Sequence, residues 1–234
     1  MNQSIRMPFD NPVFQYTLIE ETEETDVIHD KRVLLLAYPG ESINQYKEIL
    51  KKVSLKPEVA DVTALSLYRV VKKGSPVHIE DTQHTMLLQW NPVDVSIMVF
   101  HQNRPMFNRH SQNDALLEAW NVSPEAKWVW TDTEVDLQMS IEDQLNSLER
   151  FLDFYHYSVL DGEESITEII LTGYYPNLDV LKEQISERFP VNIQLLELPK
   201  EIQQPFGALF GLTLRDEAEA KDRKKSKVKR GRKK

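Results

Sequence analysis

No cysteine occurs among the 234 residues. That excludes disulfide staples, thiolate nucleophiles and cysteine metal ligands, and leaves no need for an oxidising compartment. Glycine is scarce, at seven residues, and none builds a Gly-rich phosphate loop of either common type or flanks a serine at a strand–helix elbow. A nucleotide site needs backbone that approaches phosphate closely, which so few glycines hardly supply. No apolar run approaches the roughly 20 residues that cross a bilayer. The opening MNQSIRMPFD lacks the apolar core of a signal peptide. These absences fit a cytoplasmic protein.

Charge is present but unevenly placed. Of 28 Lys/Arg and 37 Asp/Glu, ten basic residues and one acid fall in KDRKKSKVKRGRKK (221–234). The remainder carries 18 basic against 36 acidic residues. An acidic globule is a poor nucleic-acid surface, so nucleic acid is not the expected partner. The tail over 217–234 cannot bury enough surface to offset chain entropy and is expected to be disordered. It is either a solvated end or a basic arm for nucleic acid, anionic lipid or an acidic partner. Hydrophobic content of 41% beside 28% charged residues is that of a globular chain, long enough for one large or two small domains.

The most ordered pattern lies between residues 140 and 198. Ser140 with Asp143 forms a capping box opening a helix. Ile141, Leu145, Leu148, Leu152, Tyr155 and Val159 recur at spacings of three and four, giving one apolar face. Asp161-Gly162 stops it, and Ile166 to Leu171 reads as a buried strand. A second helix carries Leu178, Leu181 and Ile185, and Val191 to Leu196 follows as a strand. This order implies a right-handed crossover and a parallel pair.

Earlier in the chain, Val13 to Ile19 alternates as a strand, followed by an acidic loop at 20–30. Val33 to Tyr38 is a buried strand. Ser42 with Gln45 opens a helix through Ile43, Tyr46, Ile49, Leu50 and Val53. Val59 to Val62 reads as a short strand, and Thr63 caps a helix through Val71. The polar stretch Lys72 to Thr82, with Gly74, Ser75 and Pro76, marks a domain boundary. Thr85 to Trp90, Val93 to Phe100 and Pro105 to Arg109 form a three-strand meander. Residues 111–139 are less regular, with a short helix at Asp114 to Trp120 leading to Trp128 and Trp130.

Few residues carry recognisable chemistry. His78, Glu80, Asp81 and His84 are metal-ligand types, yet they sit in a polar stretch without helical spacing or a backing carboxylate; no metal and no cofactor is expected. Trp120, Trp128 and Trp130 read as packing rather than as a stacking platform. Glu142, Asp143, Glu149 and Asp153 read as a solvated helix face. The residues describe a non-catalytic α/β protein.

Five stretches in order resemble a known family. VLLLAYPGESINQYKEILKKVSLKPEVADVTALSLYRVV (33–71) is similar to the junction between two subdomains of the type IV pilus assembly protein PilM. That family is related to FtsA and has the actin-like (ribonuclease-H-like) fold. MLLQWNPVDVSIMVFHQNRPMFNRH (86–110), IEDQLNSLERFLDFYHYSV (141–159) and ITEIILTGYYPNLDVLKEQISERFPVNIQLLELP (166–199) resemble its second half, and FGALFGLTLR (206–215) its close. The resemblance implies a partial actin-like fold in two lobes, with mixed β-sheets flanked by helices. A first-lobe remnant would occupy 1–72, a linker 73–84, and the second lobe 85–216 with a small insertion at 111–140. It also implies a start well inside the family pattern, without the first phosphate loop.

The departures fall on the nucleotide elements. The family's Asp-x-Gly turn becomes Gln89, Trp90 and Asn91, and its double-glycine turn becomes Gly173-Tyr174-Tyr175. Gln89 lacks the anionic oxygen a hard cation wants. Asn91-Pro92 removes a glycine and a backbone donor. No ATP site is therefore carried over to Gln89, Asn91, Gly173 and Tyr174. What the resemblance implies instead is an adaptor of a pilus or competence apparatus, peripheral to the inner face of the membrane. It would bind the cytoplasmic tail of a PilN-like inner-membrane protein, with other pilus machinery as further partners. Phe14, Tyr16 and Leu18 on the first strand are the expected partner-binding residues, since an extended peptide needs an exposed strand edge. An actin-like ATPase and a nucleic-acid adaptor working through 221–234 are the competing expectations.

Overall fold

A computed structural model describes residues 10–18, 33–77, 79–80, 83–113, 116–125, 127–131 and 136–215. The acidic loop and the basic tail lie outside the described residues. The chain divides into two compact units, Met1–Asp61 and Val62–Lys234.

In the first unit, β1 (Pro12–Leu18) pairs antiparallel with β2 (Val33–Pro39), Pro12 opposite Pro39 and Leu18 opposite Val33. Helix α1 (Gly40–Lys52) follows directly. It begins two residues before the expected cap at Ser42. Pro39 occupies the N-cap with no side-chain bond, and its extended backbone joins strand to helix without a loop. The strand expected at 59–62 does not form; those residues are irregular, with no paired strand among the described residues to complete their hydrogen bonds.

In the second unit, β3 (His84–Trp90), β4 (Asp94–His101) and β5 (Arg104–Gln112) make the meander. β8 (Ile166–Thr172) pairs parallel with β3, and β9 (Asn192–Leu195) parallel with β8. The sheet order is β5-β4-β3-β8-β9, the five-stranded mixed sheet expected of an actin-like half. A small hairpin, β6 (Trp120–Val122) with β7 (Trp128–Trp130), pairs Trp120 with Trp130. Of the helix expected over 114–120, the described part is a 3₁₀ position at Leu116 followed by turn at 117–119, which leads into β6.

Both sheet faces are covered, which explains strands that read as continuous apolar runs. Met86, Leu88, Trp90, Ile169 and Leu171 point toward α3 (Leu137–Phe154) and α4 (Leu178–Arg188). Leu87, Met98, Phe100 and Ile170 point the other way, toward α2 (Thr63–Lys73) and α5 (Gly207–Thr213). α2 thus belongs to the second unit, and the boundary expected within 72–84 falls instead at Asp61/Val62. Burial of Leu67, Val70 and Val71 decides this: their apolar face needs the sheet.

Helix α3 starts at Leu137, not Ser140. Asp136 is the N-cap, its carboxylate accepting from the backbone N–H of Gln138 and Met139 at 2.8 and 3.2 Å. Leu145, Leu148, Phe151 and Tyr155 are its buried stripe. A π-turn over Tyr155–Val159 shifts the phase at its end. Asp161 and Gly162, both at positive φ, then reverse the chain.

Candidate functional site

The parallel strands β3 and β8 end side by side, and parallel sheets characteristically present sites at such carboxyl ends. Gln89 lies opposite Ser96 on β4 and Thr172 on β8. The pleat sends Gln89 to the α2/α5 side and Trp90 to the α3 side. After Trp90 the chain turns at Asn91-Pro92, and after Thr172 it turns at Gly173.

The two turns are fastened to each other. Asn91 is buried. Its Nδ2 donates to Asp94 Oδ1 at 2.9 Å, and its Oδ1 accepts from the Tyr174 backbone N–H at 3.4 Å. The Tyr175 N–H donates to the Trp90 carbonyl at 3.3 Å. Gly173 has φ +121°, and a Cβ there would overlap the Trp90 carbonyl oxygen and lie 2.7 and 2.9 Å from the Trp90 C and N. Glycine is required here because the chain's own backbone passes this close. Tyr174 stacks on Trp128 with ring centroids 6.2 Å apart. Burial, reinforced by the nearby Asp94 carboxylate, raises its phenol above the ordinary value.

A cavity of about 510 Å³ opens on the α2/α5 side of these turns. The structure brings Gln89, Asn91, Gly173 and Tyr174 to it together. It also adds residues that the sequence patterns did not single out: Asp94 and Ser96 from β4, Asn108 and His110 from β5. The meander register places them there, with Ser96 opposite His110 and its Oγ 2.8 Å from His110 Nδ1. Alternation along β4 and β5 was the signal available for them. The lining mixes apolar side chains such as Val62, Ala64, Leu67 and Pro205 with neutral amides and hydroxyls, the His110 imidazole and one carboxylate, and none of the lining residues is Lys or Arg. Such a wall suits neutral polar groups; a polyphosphate would meet Asp94 with no lining Lys or Arg to offset its charge.

The expected partner residues belong to the first unit. Tyr16 is 61% exposed and Phe14 44% exposed; Leu18 pairs with Val33 through its backbone, and its side chain lies outside the described residues. Val13, Val33 and Leu35 are exposed as well. Among the described residues β1 pairs only with β2. Of the four residues of metal-ligand type, read as binding no metal, His78 and Asp81 lie outside the described residues. His84 is not in a linker but buried in β3.

No protein-family model and no curated protein matches the chain. Among solved structures it is similar to a chain of the PilM–PilN type IV pilus biogenesis complex, with 18% identity and a TM-score of 0.63. The match covers 89% of this chain and 66% of that one, so this chain spans just under two thirds of the neighbour's length. The ethanolamine utilization protein EutJ from Carboxydothermus hydrogenoformans matches at 11% identity over 76% of this chain and 62% of that one, with a TM-score of 0.49. Ta0583, an archaeal actin homolog, matches at 13% over 71% and 57%, with a TM-score of 0.45. At 18% identity the likeness to the chain of the PilM–PilN complex speaks for the fold alone, and that fold is the actin-like one that the sequence resemblance implied. No described helix is long and apolar enough to cross a membrane.

Proposed function

We propose that this chain is a non-catalytic, cytoplasmic adaptor of a type IV pilus or competence apparatus, recruited to the inner face of the membrane by a PilN-like protein. The observation that carries the reading is the state of the β3/β8 turns. Where an actin-like ATPase needs an anionic metal anchor and free glycine backbone for phosphate, this chain has Gln89, a buried Asn91 tied to Asp94, and a glycine filled by Trp90. Those positions serve as internal bracing, so the fold is free of nucleotide chemistry and works as a scaffold. The fold likeness to a chain of a PilM–PilN complex favours capture of a PilN-like tail over other adaptor roles.

The tail is bound by strand addition at β1. An edge unpaired among the described residues, with exposed Phe14 and Tyr16 beside it, supplies main-chain hydrogen bonds for affinity and side-chain contacts for register. An open edge of this kind is otherwise an aggregation risk. The test is a fluorescence-anisotropy titration with a labelled PilN-like cytoplasmic tail, comparing the intact chain with a Tyr16→Lys, Leu18→Lys double variant. Saturable binding that the variant loses supports strand addition; retained binding by a folded double variant overturns it.

The cavity's size, within the 300–1,000 Å³ range of small-ligand sites, favours one competing reading, residual nucleotide binding. Isothermal titration with magnesium-ATP separates the two. We expect no saturable heat below about millimolar, which corresponds to less than about 4 kcal/mol of binding free energy. Micromolar binding would restore the ATPase reading.

A further inference from the structure

At the end of β3 opposite to the cavity lies a second polar cluster that the adaptor reading does not use. His84 opens β3 and is buried. His101 closes the antiparallel neighbour β4, and Glu164 precedes β8 in the reversal that follows the π-turn. Sheet register brings the three together from distant parts of the sequence: one ligand atom from each lies within 4.8 Å of the others. His84 Nε2 is 3.1 Å from Glu164 Oε2. His84 Nδ1 is 3.0 Å from the Tyr155 hydroxyl, which belongs to the π-turn and is fully buried. The two imidazoles stack with centroids 4.1 Å apart. Among the described residues His101 Nδ1 is buried without a hydrogen-bond partner.

We propose that His84, His101 and Glu164 form a zinc site, with Tyr155 as the group that orients His84. Two imidazoles and one carboxylate are a donor set that zinc accepts, leaving a fourth position for water. Buried ligating imidazoles are normally fixed through their second nitrogen, and Tyr155 stands at that nitrogen. A hydroxyl both donates and accepts, so it partners either tautomer of His84. Without metal, Nε2–H donates to Glu164. With metal, the proton resides on Nδ1 and is donated to Tyr155 Oη, while the Nε2 lone pair faces the ion. The exchange moves one proton between the two ring nitrogens and releases none.

Ligand atoms around a tetrahedral zinc are roughly 3.3 Å apart, so the cluster must contract slightly. Two of its members are free to do so. Glu164 is 61% exposed on its side chain. His101 must rotate out of the stack, because a shared ion lies in both ring planes, and no hydrogen bond from the described residues to its Nδ1 resists the turn.

The test uses the full chain stripped with chelator and titrated with zinc chloride, and with cobalt chloride to read the visible absorption of tetrahedral cobalt. We expect one saturable equivalent, with zinc displacing cobalt. Glu164→Gln, on an exposed side chain, and His101→Gln should each weaken binding by more than about tenfold. Tyr155→Phe should weaken it by about tenfold, as loss of an orienting partner does. His84→Gln risks the core, so the decision rests on the other variants, each checked for folding by thermal melting. No saturable binding by the wild-type chain, or binding unchanged in Glu164→Gln or in His101→Gln, overturns the site.

Discussion

Replacing Gly173 with alanine tests the bracing at the β3/β8 turns directly. At φ +121° an alanine sits in a region essentially reserved for glycine, a cost of about 1–3 kcal/mol. The added methyl also overlaps the Trp90 carbonyl. The obstructing atoms are backbone of a central strand, so no rotamer change relieves the overlap. Moving the turn instead stretches the Tyr175–Trp90 and Tyr174–Asn91 hydrogen bonds, each worth about 0.5–1.5 kcal/mol. Strain and the two stretched bonds together give a loss of about 2–6 kcal/mol, a large share of a typical domain's stability. Gly162 is the control. It also has positive φ (+77°), but a Cβ there would meet only Tyr157 Cδ1, at 3.9 Å. Gly162→Ala should therefore cost only about 1 kcal/mol. Urea unfolding followed by tryptophan fluorescence measures both, with the midpoint falling at constant slope. A Gly173→Ala loss no greater than that of Gly162→Ala would refute the close approach to Trp90.

Three further outcomes are expected. Leu148→Ala should cost about 2–5 kcal/mol, since the side chain is 3% exposed within the α3–sheet core; chemical denaturation measures it. Asp136→Ala should lose about 0.5–2 kcal/mol as a cap, while Ser140→Ala should be neutral or stabilising, because Ser140 Oγ is buried without a partner; the same assay distinguishes which residue caps α3. Tyr174 has a raised phenol pKa, so the fold favours its protonated form. Its contribution is complete below the ordinary value of about 10 and is lost as pH rises through the raised folded value. Stability of the wild-type chain should therefore fall more steeply above about pH 10 than that of Tyr174→Phe; parallel slopes would contradict the burial.

Local pattern in the sequence determined the elements. The period-three-and-four stripe of Leu145, Leu148 and Tyr155, the apolar runs at 86–90 and 166–171, and the stop at Asp161-Gly162 each act over a few residues. For that reason α3, β3, β8 and the meander were legible. Element boundaries were less so. Ser42 and Ser140 have the chemistry of caps, but strand β2 delivers Pro39 directly into one helix, and Asp136 reaches the amides of the other first.

The tertiary structure alone decided what those elements do to one another. The apolar face of α2 was visible, but whether it covers the first unit or the second depends on which sheet face lacks a helix; Leu67, Val70 and Val71 settle on the second. Gly173 and Asn91 were legible as departures from a nucleotide-binding pattern. That their two turns are bound to each other, Tyr174 N–H to Asn91 Oδ1 across 83 residues of chain, required the parallel pairing of β3 and β8. In the sequence His84 stands with His78, Glu80 and Asp81 in a polar stretch that reads as holding no metal. Strand pairing instead gives it His101 and Glu164 as neighbours, because hydrogen-bonded register joins residues without regard to their separation in sequence.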